Sequence, residues 1–196
     1  MKLENGRLAI EIILSFLSQN YHCTINKLYA SDFGVPQNRR RVIIIGVRKD
    51  LNTIPEPILP KTERIPVSTV LLNREEVPQS YYLSEKAIEG ITKKKSRMEN
   101  KSYGFGAQYL DMNKPSFTIP ARYWKDGYDA LVKYDDGAIR RLTELELKRI
   151  QTFPDTYELC GSKKDVVMQI GNAVPCTFAY HLGNFIIDLL EKMKKS

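Results

Sequence analysis

Three short blocks hold most of the residues that could do chemistry. Pro36-Gln37-Asn38-Arg39-Arg40-Arg41 leads straight into an apolar run, Val42-Ile43-Ile44-Ile45-Gly46-Val47. Side chains alternate along an extended segment, so Gln37, Arg39 and Arg41 should fan from one side. Such a trio can reach phosphates, a base carbonyl or a carboxylate, the guanidinium fork taking two oxygens at once. For three arginines in a row, a solvated basic stretch is the plainer reading. The second block runs from Lys114 to Gly127 and carries Thr118, Arg122, Tyr123 and Lys125. These types pair with guanine edges, stack and bind phosphate, although a hairpin with exposed aromatics would look the same. The third, Gly171-Asn172-Ala173-Val174-Pro175, precedes a helical pattern and alone reads as a turn with an N-cap.

The elements that must position these blocks are partly legible. Residues 7–19 place Leu8, Ala9, Ile12, Ile13, Phe16 and Leu17 at helical spacing. Thr24 to Tyr29 suits a short strand, and the β-branched run from Val42 to Val47 suits a strand buried on both faces. Ser31 to Asn38 between them is a loop by its glycine and proline. One helix and two strands make only the edge of a larger α/β sheet. Pro55, Pro57, Pro60 and Pro66 mark a stiff connection. From about 67 to 139 the periodicity is weak, with β-prone pieces at Ser116–Ile119 and Ala130–Tyr134 and a turn signal at Asp135-Asp136-Gly137; this predicts a small, irregular, mostly β module.

Helical signals then return. Thr143 with Glu146 forms a capping box, Leu142 with Leu147 a hydrophobic staple, and Phe153-Pro154 a stop. Arg141 and Arg149 have no local reason to be there. Phe178 to Met193 repeats apolar residues along a closing helix.

The chain has 196 residues, 42% of them hydrophobic, enough to bury a core. Its net charge of +7 suits a polyanion, and basic clusters at Arg39-Arg40-Arg41, Arg48-Lys49, Lys93-Lys94-Lys95-Ser96-Arg97 and Arg140-Arg141 sharpen that reading. No apolar run is long enough to span a bilayer, and the first residues are no signal peptide. The three cysteines lack CxxC spacing, which favours reduced thiols and no metal framework.

In this order the three blocks resemble the last motifs of the DNA (cytosine-5)-methyltransferase family. Gln37, Arg39 and Arg41 match its Gln-x-Arg-x-Arg motif; Arg141, Leu142, Thr143, Glu146, Arg149, Gln151, Phe153, Pro154 and Asp155 match the next; Gly171-Asn172-Ala173-Val174 matches the last. Thr118 to Gly127 resembles the Thr-Leu-Ser-Ala-Arg-Tyr-Tyr-Lys-Asp-Gly segment of bacterial target recognition domains, departing at Ile119, Pro120 and Trp124. Several relatives with that segment methylate palindromes with a CC or CCGG core. The resemblance implies an α/β fold: the C-terminal part of a Rossmann-like methyltransferase domain dependent on S-adenosyl-L-methionine (AdoMet), with an inserted, mostly β target recognition domain. It divides the chain into a partial catalytic domain at 1–54, the recognition domain at 55–139 and returning helices at 140–196.

It also implies roles. Gln37, Arg39 and Arg41 would face the active site, Arg41 at the C2 oxygen of the target cytosine. Asn172 and the Ala173 backbone would touch AdoMet, and Thr118, Arg122, Tyr123 and Lys125 would bind double-stranded DNA. The family adds a cysteine thiolate to C6 of a flipped cytosine, assisted by a glutamate near N3, before methyl transfer. Those groups and the AdoMet glycine loop belong upstream of Arg39, where this sequence has 38 residues. The expected protein is therefore a cytoplasmic, DNA-reading C-terminal portion, inactive alone and completed by a second chain or a missing segment. The alternative is a DNA-binding protein or methyltransferase remnant without catalysis.

Four features read as decoys. Pro175-Cys176 lies outside the family's Pro-Cys-Gln loop, and Cys176 suits a packing role. Asp32-Phe33-Gly34 lacks the other kinase motifs. Gly104-Phe105-Gly106 lacks a preceding strand and following helix. His22 and His181 have no partner at metal-ligand spacing.

Overall fold

A computed structural model describes residues 9–60, 62–98 and 107–195, the side chains of 94–98 and Asp126 excepted. Leu8 and Gly104 to Gly106 lie outside the described residues. Helix α1 (Ala9–Leu17) leads into β1 (Tyr21–Tyr29), which pairs antiparallel with β2 (Arg40–Arg48) from Tyr21–Arg48 to Tyr29–Arg40. Alternation puts Thr24, Asn26 and Leu28 on one face with Ile43 and Ile45. That face packs against Phe33, Val35 and Ile58 and against Phe178, Leu182 and Phe185 of the last helix, α6 (Cys176–Lys195). Asn26 fixes the proline-rich connection from inside: its Oδ1 accepts from the Ile58 N–H at 2.7 Å.

The opposite face has the composition of a covered strand but is largely bare in this chain, in keeping with the expectation that one helix and two strands make only the edge of a larger sheet. Val42 is 50% exposed and Ile25 39% exposed. Helix α1 contacts β1, and none of its residues is buried.

A second core joins the middle of the chain to the helices that follow it. Helix α2 (Glu85–Met98), the one-turn α3 (Tyr123–Asp126), β3 (Leu131–Lys133) and β4 (Ile139–Arg141) precede α4 (Glu144–Ile150) and α5 (Lys163–Asn172). Val67, Leu110, Ile119, Tyr123 and Val132 pack with Leu142, Leu147 and Ile150 around α4, and with Val167 and Ile170 of α5. On the other side of β3, Leu131 meets Ile139 and Ile91 of α2.

Two expectations change here. In the described part of the middle region 3-10 turns and helix outweigh strand, its two paired strands being three residues each; Ser116 makes a lone bridge to Gln37. The expected boundary at 139–140 falls within the β3–β4 hairpin, and α4 and α5 share the core of residues 67–132. Only α6 returns to β1–β2. The predicted turn at Asp135 to Gly137 is present, Gly137 adopting φ +86°.

By length and composition the 163–195 stretch could cross a membrane, contrary to the sequence expectation. Ala173 leaves helical geometry (ψ 155°), splitting it into α5 and α6, and each helix buries a face in one of the two cores.

Candidate functional site

The three blocks meet at one joint. Arg39, 4% exposed, donates from Nη1 to the Ile119 carbonyl at 3.3 Å and from Nη2 to the Gly171 carbonyl at 2.9 Å. The backbones of 36–38 and 116–118 run together: Ser116 N donates to Pro36 O, Asn38 N to Ser116 O, and Thr118 Oγ1 to Asn38 O at 3.1 Å. Gly171 closes the third side. A Cβ there would lie 2.5 Å from Ala121 Cα and 2.6 Å from Ala121 N, so only glycine lets α5 approach the recognition segment this closely.

Gln37, Arg39 and Arg41 do not fan from one face. The chain turns tightly before β2, with Gln37 N bonded to Val35 O and Arg39 N to Gln37 O, and burial alternates from Gln37 to Arg40 before Arg41 breaks the pattern. Gln37 and Arg39 are therefore buried while Arg41 is exposed, its Nη1 donating to Arg40 O at 2.7 Å. Both side-chain polar atoms of Gln37 are buried without a partner among the described residues. Burial, with Arg41 nearby, lowers the Arg39 pKa to about 10, which leaves it charged at neutral pH.

In the recognition segment Thr118, Arg122 and Lys125 are exposed, but Tyr123 is 4% exposed. Its hydroxyl donates to Ala130 O at 2.8 Å and accepts from Leu142 N at 2.9 Å. With its ring in the core and its hydroxyl engaged at both ends, Tyr123 holds the segment and does not face a ligand. Its neighbour Trp124 is exposed, as is Phe117, and Lys164 Nζ lies 4.8 Å from the Trp124 ring centroid. Lys163 likewise sits 4.0 Å from the Tyr81 ring and pairs with Glu144 at 3.0 Å. The Trp124–Lys164 contact escapes a sequence reading because its members come from α3 and α5.

Gly171 and Asn172 form the last turn of α5, not a loop before α6. Asn172 is exposed, and the Ala173 N–H is taken by the Gln169 and Ile170 carbonyls. Burial raises the Cys176 thiol pKa, opposite to the shift that activates a cysteine nucleophile. Among the described residues no group of His, Cys, Asp or Glu could hold a metal.

The segment after β4 is structural, and both unexplained arginines find reasons. Thr143 and Glu146 cap α4 reciprocally. Glu146 also takes two hydrogen bonds from buried Arg140, at 2.9 and 2.8 Å, and one from Leu72 N at 3.0 Å. Arg149 grips Asp155 at 2.9 and 2.6 Å. Arg141 lies 5.7 Å from the Tyr128 ring centroid, its stem filling the space a Cβ at Gly127 would need.

A profile of the C-5 cytosine-specific DNA methylase family matches residues 1–188. The chain belongs to that family. This methylase chain is similar to the Type II methyltransferase M1.ScrFI of Lactococcus lactis subsp. cremoris, 30% identical over 98% of this chain and 50% of that protein. M.SsoII of Shigella sonnei is 32% identical over 96% of this chain and 50% of its own length. The methylase chain thus spans about half the length of these relatives. Among solved structures, the Dnmt2 methyltransferase of S. pombe superposes with a TM-score of 0.70 at 16% identity, covering 96% of this chain and 64% of that one. Entamoeba histolytica EhMeth gives 0.66 at 19%, over 95% and 60%. These likenesses establish an α/β methyltransferase fold.

Proposed function

We propose that this chain is the DNA-reading, C-terminal portion of a DNA (cytosine-5)-methyltransferase that modifies a short duplex site. The observation that carries the reading is the joint: the recognition segment is bound by backbone and Arg39 to the arginine block and to the end of α5. This supports a reading in which DNA held by 118–127 reaches Arg41 and Asn172, both exposed. Arg122 and Lys125 bind DNA, with Trp124 in the position first given to Tyr123. Arg41 meets the C2 oxygen of the flipped cytosine, and Asn172 forms one lip for AdoMet, which supplies the methyl group when bound.

The nucleophilic cysteine, the glutamate and the glycine loop come from a front half. Surfaces suited to receive it are apolar and open: Ile25 and Val42 on the hairpin, Phe16 on α1, and Tyr180, Ile187 and Leu190 along one stripe of α6. On a finished molecule such surfaces mark an interface.

Binding of the chain to a duplex with a CCGG core should weaken steeply with salt. Arg122→Ala should cost about 1–3 kcal/mol if Arg122 reads a base edge. Equal discrimination between core and scrambled duplexes in wild type and variant would remove Arg122 from base reading. Absence of any salt-dependent binding would refute the DNA-reading assignment.

A further inference from the structure

We infer that Arg39 is a positioning residue, a strut that makes the recognition segment and the C-terminal end of α5 move as one body. Its link to DNA rests on the function proposed above; the strut itself rests on geometry alone. The Arg39 guanidinium is buried, yet its hydrogen-bond partners are the backbone carbonyls of Ile119 and Gly171, 80 and 132 residues away in sequence. A buried cation is costly unless its donors are satisfied, and here two donors on one rigid plane fix the separation of two segments.

The surroundings make the strut two-ended. Gly171 has no room to move inward, because its Cα side already abuts the Ala121 backbone. Ile119 is fully buried with Ile170 in the same core, and Thr118 and Ser116 are bonded to the chain on either side of Gln37. Asn172 and Ala173 follow directly on one anchored residue, while Arg122 and Lys125 lie just past the other. Displacement of the recognition segment is therefore transmitted to the Asn172–Ala173 edge, with Arg39 clamping the packed pair to the arginine block. This separates Arg39 from Arg41 in the same motif, which is exposed and free of this joint.

Amide hydrogen exchange on the full chain, free and with a CCGG-core duplex, tests this. In Arg39→Met the Ala173 amide and the amides around 116–123 should exchange at least tenfold faster, while Leu131 and Leu147 keep wild-type protection. DNA should slow exchange at Ala173 in wild type and in Asp155→Asn, but only within the recognition segment in Arg39→Met. Arg39→Lys, able to reach one carbonyl, should restore part of the coupling. Gly171→Ala pries the same joint from its other side and should reproduce the uncoupling, so the idea stays testable even if Arg39→Met fails to fold. Ala173 responding to DNA equally in wild type, Arg39→Met and Gly171→Ala would overturn the strut. If DNA alters no amide even in wild type, the DNA-reading assignment fails, and the free-chain comparison still decides the strut.

Discussion

Arg140 and Arg39 are both buried arginines, and they are buried for different ends. Arg140 donates two hydrogen bonds to Glu146, six residues away, and a third to the Tyr134 hydroxyl at 2.8 Å. Glu146 in turn serves the Thr143 cap and Leu72. Charge is neutralised locally, within one core, by residues that the β4–α4 corner brings together anyway. Arg39 donates to two backbone carbonyls among the described residues, and they belong to segments far apart in sequence. The first arrangement is what a fold needs to specify a corner. The second stabilises less for the burial it demands, and what it provides is a fixed distance between two parts of a site.

The largest effect should follow removal of the local pair. Arg140→Met leaves the Glu146 carboxylate buried with two of its five hydrogen bonds and its only cationic partner in that network gone, and should cost about 3–5 kcal/mol, read from urea unfolding. Arg39→Met leaves two carbonyls unpaired but also relieves the burial of a charge, so its cost should be smaller, about 1–3 kcal/mol. Equal losses in the two variants would break the comparison. Thr143→Ala should cost about 1 kcal/mol through loss of the α4 cap, with little effect on DNA binding.

The smallest effect concerns the exposed Arg149–Asp155 pair. Its hydrogen bond with Arg149 holds the Asp155 carboxyl below its ordinary pKa, so the stabilisation is present above the ordinary aspartate range and lost as pH falls through the lowered value. The melting-temperature gap between wild type and Asp155→Asn should therefore be small at neutral pH and close in acid. A gap that widens in acid would contradict that sign.

What the sequence revealed and concealed has a physical pattern. Local devices were legible: the Thr143–Glu146 box, the Asp135–Gly137 turn and the apolar repeat of α6 each depend on residues a few positions apart. The motif order also pointed to the family. Features set by distant contacts were not legible. Tyr123 looked like a reader because its neighbours are exposed and polar, and only the approach of Leu142 and Ala130 makes it core. Gln37 and Arg39 seemed to line a strand because the tight turn before Arg40 carries no strong local signal. Helix α5 went unseen, and Gly171 seemed a loop residue, because the demand for glycine comes from the Ala121 backbone packed against it. The bare face at Val42 and Ile25 read as buried because its composition matches that of a covered strand.

The central claim is that this chain reads DNA for a cytosine-5 methyl transfer whose chemical groups a front half supplies. The most direct measurement mixes the chain with a polypeptide carrying the family's glycine loop, Pro-Cys-Gln and Glu-Asn motifs, then adds labelled AdoMet and a CCGG-core duplex. Neither polypeptide alone should label DNA. The mixture should place label on C5 of cytosine at one short site, and Arg41→Ala should abolish that label while the two polypeptides still co-elute. A chain that binds the duplex but never gains activity from any such front half would contradict the account and make it a reader without catalysis.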